Sequence, residues 1–72
     1  MIVEEGQIKG AFRGFKDTDT VFKFYGGPKW KQSVYKYHYY CAYMPRAKIV
    51  QESGRYTLHV EGMNDSIEVR RA

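Results

Sequence analysis

The chain has 72 residues, 12 Lys and Arg against eight Asp and Glu, a net charge of +4, and one cysteine. That length holds a single domain, residues 1–72, whose core is marginal on burial alone, and a lone Cys41 excludes a disulfide, a CxxC pair and a zinc knuckle. The opening M-I-V-E-E-G lacks both a basic and an apolar leader region, and no apolar run nears the roughly 20 residues that span a bilayer, so the expectation is a soluble cytoplasmic protein with no membrane partner.

Seven glycines interrupt the chain at intervals too short for a helix, and the apolar residues recur at period two. A first strand is predicted over Gly6–Phe15, with Ile8, Gly10, Phe12 and Gly14 on one face and Lys9, Ala11, Arg13 and Phe15 on the other. Its two face-sharing glycines point to a bulge, a bend or a crossing backbone. Lys16–Thr20, K-D-T-D-T, reads as a turn capped by its own Asp and Thr side chains. A second strand over Thr20–Tyr25 sets Phe22 and Phe24 on one face, and Gly26-Gly27-Pro28 turns the chain.

A third strand region starts at Lys29 and extends to Tyr43. Such a length is long for one strand, so a bend or bulge is expected near Tyr40–Ala42. Pro45 ends it. A fourth strand over Ala47–Gln51, a Ser53-Gly54 hairpin turn and a fifth strand over Arg55–Glu61 follow, with Tyr56, Leu58 and Val60 inward. After a turn at Gly62–Asp65, Ile67 and Val69 alternate in a short last strand. Tight turns and no helix predict an all-β fold: a small antiparallel five- to six-stranded barrel, SH3-like first and OB-like second.

Catalytic chemistry has little to work with. His38 and Cys41 are three residues apart, so a regular strand places them on opposite faces, and a thiolate–imidazole pair needs a bulge to align it. A buried Cys41 and a solvent-facing His38 are expected instead. His59, between Thr57 and Glu61, reads as exposed. The Asp17-Thr18-Asp19 run fails the calcium-loop pattern, because Phe22 stands where the loop needs glycine. No enzyme, metal site or cofactor is expected.

The run Trp30–Tyr43 carries the functional question. It holds Trp30, five of the seven tyrosines, Lys31, Lys36 and His38, and no carboxylate. If extended, Ser33, Tyr35, Tyr37 and Tyr39 share one face and Val34, Lys36, His38 and Tyr40 the other. Around it, residues 9–48 hold nine Lys and Arg against two Asp, a local +7. A basic surface favours anionic partners. Cations interleaved with aromatics suit single-stranded nucleic acid, which needs stacking faces and phosphate contacts.

The motif series G-x-F-x-G-F at Gly10–Phe15, T-V-F-K-F at Thr20–Phe24, W-x-Q at Trp30–Gln32, Y-x-Y-H-Y at Tyr35–Tyr39, A-Y-M-P-R at Ala42–Arg46, Y-x-L-x-V-x-G at Tyr56–Gly62 and I-x-V-x-R at Ile67–Arg71 covers almost the whole chain. It resembles a family of small, uncharacterised prokaryotic all-β proteins. The resemblance implies a free-standing β domain and brings no activity, cofactor or binding residue with it.

The sequence therefore predicts a non-enzymatic binding module. The nucleic-acid reading uses Lys29, Trp30, Lys31, Tyr35, Lys36, Tyr37, Tyr39, Arg46 and Lys48, with the aromatics stacking and the cations on phosphates. The alternative is protein–protein interaction or self-association through the tyrosine-rich strand, because Tyr and Trp are enriched at interface hot spots.

Overall fold

The structure, a computed structural model, describes residues 1–72 and is all-β, with no helix. Its strands are β1 (Ile2–Gln7), β2 (Ala11–Phe12), β3 (Val21–Lys23), β4 (Lys29–Gln32), β5 (Ala42–Tyr43), β6 (Arg46–Glu52), β7 (Arg55–Val60) and β8 (Ser66–Arg71). Six of them form one antiparallel sheet in the order β1-β6-β7-β8-β4-β3, and β2 pairs with β5 in a separate two-stranded ribbon. The large sheet curls into a half-barrel. Its two edges meet at one end, where Ile8 bridges Phe24, the Lys9 amide donates to the Lys23 carbonyl and the Tyr25 amide to the Gln7 carbonyl.

Period-two patterning fixes which face is inside. Phe22, Phe24, Trp30, Ala47, Ile49, Leu58, Val60, Ile67 and Val69 fill the concave side, joined by Ile8, Phe12 and Phe15. Phe12 packs on Phe15 and Phe22 with ring centroids 6.2 and 6.1 Å apart, in the range where aromatic pairs attract. The β6–β7 hairpin turns at Ser53-Gly54, both with positive φ, as the right-handed twist of two-residue hairpins demands.

The first strand lies earlier than the sequence predicts. Pairing with β6 covers Ile2–Gln7, with a register shift between Ile2 and Glu4, and Gly10 beyond it turns left-handed at φ 79°, so Gly6–Phe15 is not one strand. Phe12 and Phe15, expected on opposite faces, are both buried, because Gly14 at φ 91° reverses the alternation between them. A Cβ on Gly14 would meet the backbone of His38 and Tyr40, so this glycine marks a crossing chain.

The long third strand is also corrected. β4 stops at Gln32, and residues 33–41 leave the sheet. The side chain of Gln32 causes the departure. It is fully buried, accepts the Lys16 N–H at 3.0 Å, and donates to the carbonyls of Val34 and Lys36 at 2.9 and 3.2 Å. One amide thus supplies the partners that a ladder would otherwise provide. The chain rejoins regular pairing through the Phe15–His38 bridge and then β5. Between Phe12↔Ala42 and Phe15↔His38, three steps on one strand face four on the other, which places a bulge in the segment ending at Ala42.

Candidate nucleic-acid interface

The alternation of the tyrosine run survives without a sheet. Tyr35, Tyr37, Tyr39 and Tyr43 point outward at 76, 65, 56 and 76 % exposure. Of the residues between them, Lys36, His38 and Tyr40 reach back toward the sheet. Lys36 places its ammonium 2.6 Å from Asp65 Oδ1 and donates to the Ser66 carbonyl. The His38 Nδ1 lies 2.9 Å from Asp65 Oδ2, with its ring edge-on to Phe15. Tyr40 packs against Phe12 and Gly62. Asp65 is therefore the anchor of the segment. The hydrogen bond from Lys36, then that from His38, holds its carboxyl down at about 2.

Trp30 has no stacking role. It is 1 % exposed, with Tyr56 5.0 Å away and the Arg71 guanidinium 4.7 Å from its ring centroid. Cys41, expected to be buried, is exposed, as is Val34, while His38 is half-buried rather than solvent-facing. They change places because residues 33–41 follow Gln32 and Asp65 instead of a strand.

The predicted cations do not converge. Lys29 and Lys31 stand on β4, and Lys31 lies 3.9 Å from Asp19. Arg46 and Lys48 stand on β6, separated from β4 by β7 and β8. There they border a cleft of about 350 Å³ together with Glu5, His59 and Glu61, so carboxylates offset their charge. Lys36 is committed to Asp65.

Other cations take their place. Ala11 pairs with Tyr43 and Phe12 with Ala42, so the ribbon presents Ala11 and Arg13 beside Tyr43, Cys41 and Tyr39 on its outer surface. The Tyr39 hydroxyl is raised above its ordinary range by side-chain hydrogen bonding with Cys41, and the charge of nearby Arg13 pulls it back. Behind Arg13 lies a second cleft of about 200 Å³, between residues 8–16 and β3. Lys9, Arg13, Lys16 and Lys23 line it, over a floor that includes Phe12 and Phe22, and no carboxylate does. Asp17 and Asp19 lie in the adjoining turn, where Asp17 Oδ1 accepts the Asp19 amide and the Thr20 hydroxyl and Asp19 stands 3.9 Å from Lys31.

Lys9, Arg13, Lys16, Lys23 and Tyr43 are thus the residues that the sequence did not single out for the site. The signal for the four cations was present in the local +7, but their convergence needs the two left-handed glycines and the β2–β5 ribbon. No family model, curated protein or solved structure matches the chain.

Proposed function

We propose that the protein is a non-enzymatic nucleic-acid-binding module, with Tyr37, Tyr39 and Tyr43 stacking on bases and Arg13, Lys9, Lys16 and Lys23 holding phosphates. The observation that carries this reading is the carboxylate-free basic cleft together with a row of outward tyrosines leading into β5. Stacking faces next to a positive groove are what sequence-tolerant single-strand binding requires. Tyr35 lies on the same outward row and extends the surface. Within this reading the half-barrel is an SH3-like barrel, supported by its edge closure at Ile8 and Phe24, with an OB-like barrel as the second choice. The protein acts in a prokaryotic cytoplasm and belongs with the small all-β family that its motif series resembles.

Fluorescence anisotropy of an end-labelled single-stranded oligonucleotide, measured at 50 and 200 mM salt, tests the proposal. Binding that weakens steeply with salt is expected, since each neutralised phosphate releases counterions. Absence of salt-sensitive binding at any protein concentration overturns it. The exposed tyrosine row also favours a second reading, self-association or docking of another protein. Sedimentation of the wild type beside Tyr37→Ala and Tyr39→Ala separates the self-association case, in which a dimer should dissociate in the variants.

A further inference from the structure

The cleft between residues 8–16 and β3 has a geometry that no simple basic groove has. Thr20 and Phe24 bond to Gln32 and Pro28 across the β3–β4 ladder. Antiparallel alternation then turns the amides of Val21 and Lys23 to the opposite edge, which is the cleft edge. The Lys23 carbonyl on that edge takes the Lys9 N–H at 2.8 Å, and beyond Lys9 the chain swings away at Gly10. The edge therefore offers two N–H donors flanking the Val21 carbonyl, surrounded by four cationic residues.

The slot is also closed at both ends. The Lys9–Lys23 bond shuts one. At the other, the Thr20 amide donates to the Asp17 carbonyl at 3.1 Å, the Asp17 amide to the Thr20 hydroxyl, and Gln32 ties Lys16 to the Thr20 strand. An extended peptide cannot run through it as an added strand, and a continuous sugar-phosphate backbone can lie across its cationic mouth but cannot enter it. Its volume of about 200 Å³ lies below the roughly 300 Å³ at which pockets begin to hold whole drug-sized ligands. A compact group entering from the open side is the occupant that fits. Four cations and two amides exceed the single charge of a phosphodiester and match a dianion.

We infer that this cleft is a phosphate-dianion pocket that seats the terminal phosphate of a nucleic-acid strand, with the Val21 and Lys23 amides and Lys9, Arg13, Lys16 and Lys23 as its donors. The inference rests on the nucleic-acid reading for the source of the phosphate, and a free phosphate would present the same chemistry. Strands run outward from the pocket over Arg13 and the tyrosines of the ribbon, so the protein recognises ends rather than interior sequence.

Oligonucleotides of one sequence, bearing a 5′-phosphate, a 3′-phosphate or only hydroxyl ends, test this by anisotropy with the label at the opposite end. One phosphorylated form should bind at least about tenfold tighter than the hydroxyl form, the size expected for one or two charge-assisted bonds. Lys16→Ala with Lys23→Ala should abolish that preference, and Lys48→Ala, on the far side of the sheet, should keep it. Inorganic phosphate titrated into labelled protein should shift the Val21 and Lys23 amide resonances. Equal, salt-sensitive binding of all three strands overturns the pocket and leaves the nucleic-acid reading standing. Phosphate shifts at Val21 and Lys23 without binding of any strand overturn the terminal-phosphate source and the nucleic-acid reading together, and leave a free-phosphate pocket. Neither shifts nor strand binding overturns both.

Discussion

The side-chain oxygen of Gln32 accepts the backbone N–H of Lys16 at 3.0 Å from a fully buried position. This bond links the end of β4 to the segment that lines the basic cleft, while the same amide nitrogen holds the carbonyls of Val34 and Lys36. Gln32→Ala should cost about 2 kcal/mol, because it leaves partly buried backbone groups without partners. In a domain of this size that is a fall of roughly 10 °C in Tm. Hydrogen exchange should speed selectively at Lys16 and across residues 33–41, before the β6–β7 amides respond.

Two left-handed glycines on one short segment give predictions of different size. At Gly14 an added methyl meets backbone from the facing chain, with the Tyr40 nitrogen 2.7 Å away, whereas at Gly10 nothing lies within 4 Å. Gly10→Ala should cost about 1 kcal/mol, the ordinary penalty of a left-handed L-residue. Gly14→Ala should cost more than about 3 kcal/mol, since the ribbon must also move. Urea unfolding midpoints of the two variants check the difference, and near-equal values count against the crossing of residues 14 and 38–40.

Adjacent tyrosines should respond oppositely to truncation. Tyr39→Ala removes an exposed ring and should change stability by less than about 0.5 kcal/mol. Tyr40→Ala opens the contact with Phe12 and Gly62 and should cost about 2 kcal/mol. Oligonucleotide affinity should fall in Tyr39→Ala, by about tenfold for the loss of one stacking face. Thermal unfolding together with anisotropy separates the two effects.

Period two was the legible part of this chain. It identifies the inward rows of β6, β7 and β8 and the burial of Phe22 and Phe24, because strand side chains alternate whatever the topology. It also survives in Tyr35, Tyr37 and Tyr39, which is why they read as one face. What it misses comes from long-range partners. Nothing in the pattern marks Gln32 as a buried amide: its nitrogen bonds two and four residues on, where a strand is expected, and its oxygen bonds to Lys16 on another segment. Trp30 reads as a stacking residue until β8 brings Arg71 over it. Arg13, Lys16, Lys9 and Lys23 converge only because Gly10 and Gly14 bend the chain.

Asp65 makes stability depend on acid. Its carboxyl titrates at about 2 in the folded protein, held down by Lys36 and then His38, against about 3.9 in an unfolded chain. A depressed carboxyl stabilises above its unfolded value and loses that contribution as pH falls through the folded one. The loss should therefore run from about pH 4 down to about pH 2, with a size of about 1 kcal/mol after solvent screening. Asp65→Asn should lower the urea midpoint at pH 7 and flatten its decline across this window. A variant that declines as the wild type does would show that another carboxyl carries the effect.

The pairing of β1 with β6 sets an order of assembly. The β6–β7–β8 meander joins neighbours through short turns and closes at low entropic cost, whereas β1 must wait for a partner strand made long after it. During synthesis residues 2–7 leave the ribosome with no edge to join until residue 52 has followed. Until then Val3, which packs on the core, stays uncovered, and β1 is itself an unpaired strand open to other chains. β4 waits longer still, for β8 at residues 66–71, so the half-barrel is completed only once that strand is made, and the interval in which the nascent protein is sticky ends there.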